Sequence, residues 1–335
     1  MKFLAFIFVL ILTIDLLGQD LHFSQFYNTP LYTNPANAGL VPGDCRGALN
    51  YRSQWASITT PFVTAAGSYE KKKYLGKNYL GYGFQFINDR SGTQTLSHNE
   101  ASFSLAYQKV YSADCFLSIG TQAGFVQKSI KSNLTFNSNF DESQGKFNSS
   151  LSSGEALTAP PPLMYPDISV GFMFQKRSDV LAYEIGASLF HILRPSNSFL
   201  ASAASDNQFR LEHKYSINGG FDWRIIPNIY LKPKFLMLSQ GIHNRQIVFG
   251  GELAFNLANG ALHAGSYLRR TSTTSDAFIP AVGIVYGPFD FTLSYDFNIS
   301  VLANASDTLG GYEMSLIYNC ASSKIFKVAV PCRRY

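Results

Sequence analysis

The chain has 335 residues, of which 46% are hydrophobic, 15% aromatic and only 15% charged, with a formal net charge of +5 at pH 7. Soluble globular domains carry about 25% charged residues, so a chain this poor in charge, with 28 Phe and 19 Tyr, is not composed like one. The mild positive balance has no basic run beyond Lys71-Lys72-Lys73, which reads as a solvated turn, and this excludes nucleic-acid binding. No apolar run past the start reaches about 18 residues, which excludes membrane-spanning helices.

The first element is an export signal. Lys2 is a short positive region, and Phe3 to Ile14 form an apolar run broken only by Thr13. That run is too short to span a bilayer, which needs about 20 residues. It reads as a secretory signal peptide over residues 1–18, removed before Gln19. Leu16 is larger than the residue preferred three positions before a cut. No Cys follows the cut, so a lipid anchor is not expected.

Residues 19–47 form the second element, an irregular segment that opens "QDLHFSQFYNTPLYTNPANAG" (Gln19 to Gly39). Pro30 and Pro35 push the residues before them into extended or turn conformations, so the segment is not expected to be a helix. Its rings (Phe23, Phe26, Tyr27, Tyr32) and its small residues (Ala36, Ala38, Gly39) suit compact packing. Disordered tails are poor in aromatics. The segment is therefore expected to form an ordered plug or collar in or beneath the periplasmic mouth of the domain downstream.

Alternation dominates the rest. In "FDFTLSYDF" (Phe289 to Phe297) every odd residue is apolar and every even one is Asp, Thr or Ser. In a strand this puts all apolar side chains on one face. The pattern predicts fourteen strands: Leu49–Trp55, Phe62–Tyr69, Tyr79–Ile87, Asn99–Tyr111, Cys115–Ile130, Asp167–Lys176, Val180–His191, Lys214–Ile225, Ile229–Leu238, Gln246–Phe255, Ala261–Arg270, Ile279–Tyr286, Phe289–Ile299 and Gly311–Asn319. Tight turns ("SAD", "RSD", "PN", "GP") alternate with longer polar links, above all Lys131–Pro166 and Leu193–His213. Short turns on one rim and long loops on the other are the mark of outer-membrane barrels. A soluble sandwich would instead bury the apolar face. The strand number, the low charge and the tyrosines near strand ends favour the barrel.

The expected fold is thus all-β: a transmembrane antiparallel β-barrel of about 14 strands over residues 48–320, in the outer membrane and in contact with its lipid. An even strand count places both chain ends, including a basic tail over 321–335, on the periplasmic side. The strand-borne charges Arg52, Glu70, Glu184, Asp222, Arg224, Lys232, Lys234, Glu252, Arg269, Asp290, Asp296 and Glu313 should line the lumen, solvated or internally paired, because they are costly against lipid. Four cysteines (Cys45, Cys115, Cys320, Cys332) allow three pairings. Cys320 and Cys332, both at or past the last strand, are expected to pair. The six His are scattered, and no nucleophile elbow or phosphate-cradling loop occurs. No catalytic, cofactor or metal site is expected.

A resemblance joins these pieces. The opening stretch (Phe23, Ser24, Gln25, Phe26, Tyr27, Pro30, Leu31, Asn34, Pro35, Gly39) and "NYRSQW" (with Tyr51, Arg52, Gln54, Trp55) resemble the start of the PorP/SprF family. These are membrane proteins of the Bacteroidota type IX secretion and gliding systems. "YPDISVGF" (with Pro166, Asp167), "LSYDFNISVL" (with Tyr295, Asp296), "GGYEMSLIY" (with Glu313, Ser315) and the tail "VPCRRY" (with Cys332) resemble its later motifs. The usual His-Glu before the last strand is Tyr312-Glu313 here, and the tail reads Pro331-Cys332 where the family has Cys-Pro. The resemblance implies a non-enzymatic outer-membrane barrel that helps export or retain type IX substrates such as surface adhesins, through their C-terminal region, or that links to the periplasmic motor ring. A general porin or solute channel is the alternative.

Overall fold

The structure, a computed structural model, describes residues 20–321 apart from 57–59, 92–95, 113, 131–139, 142–145, 148–160, 200–208, 242–243, 272–274 and 301–307. Its strands are β1 (Cys45–Gln54), β2 (Phe62–Leu75), β3 (Asn78–Ser91), β4 (Leu96–Ser112), β5 (Cys115–Ile130), β6 (Phe140–Asp141), β7 (Lys146–Phe147), β8 (Leu163–Lys176), β9 (Leu181–Phe190), β10 (Lys214–Ile226), β11 (Ile229–Gln240), β12 (Asn244–Leu257), β13 (Gly260–Thr271), β14 (Ser275–Tyr286), β15 (Phe289–Asn298) and β16 (Leu309–Asn319). β6 and β7 make a small hairpin of their own in the link between β5 and β8. The other fourteen strands form one closed antiparallel barrel in chain order, with β16 pairing back onto β1. They correspond one to one with the strands expected from alternation.

Burial runs opposite to that of a soluble protein. Along β15, Phe289, Phe291 and Leu293 are exposed, while Asp290, Thr292, Ser294 and Asp296 are buried. β4 repeats this, with Phe103, Leu105 and Tyr107 outside and Ser102, Ser104 and Gln108 inside. An outer apolar face with exposed tyrosines near the short turns (Tyr69, Tyr107, Tyr111, Tyr286, Tyr318) suits a barrel in lipid. Closure leaves no unpaired edge along the seam in a medium that cannot hydrogen-bond to one. At the short-turn end of that seam, Cys45 at the start of β1 is disulfide-bonded to Cys320 just past β16, their Cα atoms 5.1 Å apart.

Three expectations need correction. Cys320 pairs with Cys45, because the β1–β16 register brings those two strand ends together; Cys332 lies outside the described residues. Lys71–Lys73 is no turn but the last part of β2, with Lys72 turned inward and donating to the Val41 carbonyl at 3.1 Å. The segment before β1 is the ordered plug expected, but it is not confined to the short-turn mouth. It threads the lumen from Asp20, beside the long-loop ends of β10 and β11, to Cys45 at the short-turn rim. It carries short helical turns at Phe26–Asn28, Pro30–Thr33 and Pro35–Asn37. Two of these start on the prolines, which suit a first helical position because they have no N–H to leave unbonded.

Candidate functional site

The lumen and the segment that fills it form the site. Glu313 on β16 points inward, and its two carboxylate oxygens accept from the main-chain N–H groups of Ser24 (2.7 Å) and Gln25 (3.0 Å). Arg52, directly opposite Glu313 in the β1–β16 register, donates to the Ser24 hydroxyl at 2.5 Å and to Asp296 at 2.9 Å. Arg269 reaches the same Asp296 oxygen at 2.8 Å, and Ser24 donates its own proton there at 2.8 Å. The Gln25 amide donates to Ser294 and to the Glu313 carbonyl, and Asn28 donates to Ser315 at 2.7 Å. Every member is buried. Buried charges are tolerated when they are paired and hydrogen-bonded, and here the segment's own backbone completes the pairing.

Below this cluster, in the middle of the lumen, Tyr27 stacks on Tyr267 of β13 at 5.2 Å between centroids, and Phe26 meets the same ring edge-on. The Lys234 ammonium sits 3.8 Å from the centre of the Tyr27 ring and 3.3 Å from Glu252, which also accepts from the Tyr267 hydroxyl. Leu31 packs on Ala38 and Ala106.

Towards the short turns the segment lies backbone-to-wall. Asn34 donates to the Phe172 carbonyl and accepts from the Ala36 N–H. Ser118 and Gln108 donate to the Ala36 and Ala38 carbonyls. Wall glycines make this approach possible: a Cβ at Gly81 would stand 1.8 Å from the Ala38 oxygen, and one at Gly120 would stand 2.6 Å from the Pro35 oxygen. Gly39, at φ +73°, turns the chain out of the lumen, and its N–H is taken by Glu70, itself paired with Arg46.

At the long-loop end, Asp20 bonds His191 at 2.6 Å and Lys214 at 2.8 Å, and the other His191 nitrogen bonds Asp167 at 2.9 Å. The Lys214 ammonium also lies between the rings of Tyr32 and Phe190. A void of about 10 Å³ lies beside His22, Phe23, Tyr32 and Lys214. That is roughly the room of one water.

The structure therefore gathers Ser24, Gln25, Arg52, Asp296, Glu313 and Ser315 into one cluster, although up to 290 positions separate its bonded members. Gln54 accepts from Arg52 at 3.3 Å. Phe23, Phe26, Tyr27, Pro30, Leu31, Asn34, Pro35 and Gly39 all lie in the plug. Pro166 falls where β8 runs past its ladder with β9, which ends at Val170. The Ile168 carbonyl there faces β9, accepting from Ile192, and by alternation so does the missing N–H of Pro166. Tyr51 and Tyr295 are on the outward face, and Trp55, just past β1, packs on Phe62. Asp20, His191, Lys214 and the wall glycines are the participants that sequence reasoning missed. Inward-facing glycines on neighbouring strands were the signal that could have found the last of these.

The model of the type IX secretion system membrane protein PorP/SprF matches residues 16–318. The chain belongs to that family. No curated protein matches it. Among solved structures, this PorP/SprF chain is similar to the CymD monoaromatic hydrocarbon channel, with a TM-score of 0.51, 10% identity, and coverage of 89% of this chain and 94% of that one. The Ralstonia pickettii toluene transporter TbuX gives 0.50 at 10% identity, covering 87% and 92%. CdiB from Acinetobacter baumannii gives 0.50 at 7%, covering 83% and 60%. At such identities the likeness is one of fold. It makes this PorP/SprF protein an outer-membrane-type barrel, and no helix among the described residues is long and apolar enough to cross a membrane.

Proposed function

We propose that this PorP/SprF protein is a non-enzymatic recognition component of the type IX secretion and gliding machinery. It binds, helps export or anchors a secreted surface protein of the adhesin kind, by that protein's C-terminal region. The reading places the long loops outside the cell and the short turns, with the β1–β16 seam end, in the periplasm after removal of residues 1–18. The motor ring, met at the periplasmic rim, is the runner-up partner.

The filled lumen is the observation that supports this most. A barrel whose interior is occupied by its own buried N-terminal segment is poorly suited to carrying solute. Its available chemistry is surface recognition. The solute-channel reading draws on the neighbours named as channels, yet their 10% identity carries the fold alone.

Deleting the gene should leave small-solute permeability of the outer membrane nearly unchanged, while one large surface protein or a small set disappears from the cell face. An intact surface proteome with altered solute uptake would install the channel reading instead.

A further inference from the structure

The outer face of the barrel sorts charge by sign. Strand-borne carboxylates point into the lumen, Glu70, Glu252, Asp296 and Glu313 among them; Asp276, at a bulge in β14, reaches in to Arg269. The charged side chains on the outward parity of the described strands are cations. Near the short turns these are lysines: Lys71, Lys73, Lys109 and Lys176. Near the long loops they are arginines: Arg90 on β3, Arg245 on β12 and Arg270 on β13.

Arg245 and Arg270 form a pair. Ile247 lies opposite Arg270 in the β12–β13 ladder, and Arg245 is two residues further along the same face. Such diagonal neighbours stand about 7–8 Å apart, close enough for both guanidinium groups to meet one ligand. Among the described residues, the acids Asp276 and Glu212 beside this rim are engaged, by Arg269 at 2.9 Å and by Arg194 at 2.9 Å. The links on either side, "GIH" from Gly241 and "STT" from Ser272, contain no acid.

The height fits a headgroup. Twelve residue steps separate Arg245 from Leu257 at the short-turn end of β12. At about 3.3 Å per residue and a tilt of about 40°, that is about 30 Å along the membrane normal, just above an apolar band about 25 Å tall. The outward residues immediately beneath, Ile247 and Phe249, are apolar and exposed.

We infer that Arg245 and Arg270 bind the phosphate of a lipid whose headgroup carries a phosphomonoester, the chemistry of lipid A. A phosphomonoester bears a charge of about −1.5 to −2 at neutral pH, which two guanidinium groups neutralise through paired N–H donors. The apolar face below receives acyl chains, which a free phosphate would leave uncovered. Lysines, as hydrated point charges, suit the less demanding opposite rim.

The test uses the full mature protein in detergent, titrated with bis-phosphorylated lipid A and followed by native mass spectrometry. The double variant R245Q/R270Q should bind at least tenfold more weakly, with its heat-modifiable mobility kept, and K71Q/K73Q should bind like the parent. Lipid A stripped of both phosphates should bind the parent no better than intact lipid A binds the double variant. If the double variant folds poorly, the single variants are compared, each expected to be about threefold weaker. Equal binding by parent and arginine variants would overturn the inference, as would equal binding of the stripped lipid. Displacement of the lipid by millimolar inorganic phosphate would overturn it too, by making this a free-phosphate site.

Discussion

His191 lies one residue past β9 in a left-handed conformation, φ +60°, that aims its ring at the end of the plug. Burial alone would lower its pKa. The carboxylates of Asp20 and Asp167, one on each ring nitrogen, more than offset this and raise it from 6.5 to about 9, against the opposing Lys214 charge. Burial would raise the pKa of Asp20, but Lys214 and His191 outweigh it and hold the carboxyl well below its usual range. A raised His pKa contributes stability that is complete below about 6.5 and is lost as pH climbs through about 9. A lowered Asp pKa contributes stability that is present above about 4 and lost only in stronger acid. The tie is therefore strongest between about pH 4 and 6.5 and loosens in alkali. Hydrogen exchange at residues 20–24 should speed up between pH 7 and 10 after correction for the intrinsic rate. In His191→Gln it should be faster at pH 6 and nearly flat above. A parent profile as flat as the variant's would show that His191 does not hold the plug.

Among the elements, the strands were legible in the sequence and the plug's path was not. Lipid on one face and a packed polar lumen on the other force strict alternation, so "FDFTLSYDF" announces its strand without help from any distant residue. Strand ends were less visible: β2 runs on through Lys71–Lys73 because outward lysines at a rim are as comfortable as lysines in a turn. The plug's aromatic content signalled order. Its seat depends on partners such as Glu313 for Ser24, 289 positions away, which local pattern does not encode. The wall glycines carry that seat. Gly120→Ala would bring a Cβ to 2.6–2.7 Å from the Pro35 and Ala36 backbone, whereas Gly47→Ala meets nothing within 4 Å. Overpacking of this kind costs about 1–3 kcal/mol. Gly120→Ala should lower the temperature at which the purified barrel loses its fast-migrating folded band, and Gly47→Ala should leave it within error. Equal melting of both would mean that the plug yields at that contact.

At the scale of the whole molecule, the plug and the barrel seam are one unit. Arg52 on β1, Glu313 on β16 and Asp296 on β15 meet at the place where first and last strands close, and Ser24 and Gln25 bridge them from inside. The Cys45–Cys320 disulfide fastens the other end of the same seam. Truncating one partner of a buried ion cluster leaves uncompensated charge, typically at a cost of about 3–5 kcal/mol. In Arg52→Met the carboxylates of Asp296 and Glu313 face each other with Arg269 as the remaining arginine of the cluster. Repulsion then acts on the two main-chain N–H groups that Glu313 holds. The wall's ladders do not involve that charge, so the barrel should stay closed while the plug's upper half detaches. In planar bilayers the parent should show no steady conductance. Arg52→Met should open intermittently, and a variant lacking residues 20–39 should conduct continuously, with heat-modifiable mobility retained in all three. Steady conductance from the parent, equal to that of the deletion, would mean that the segment does not seal the lumen, and recognition at a closed surface would lose its main support.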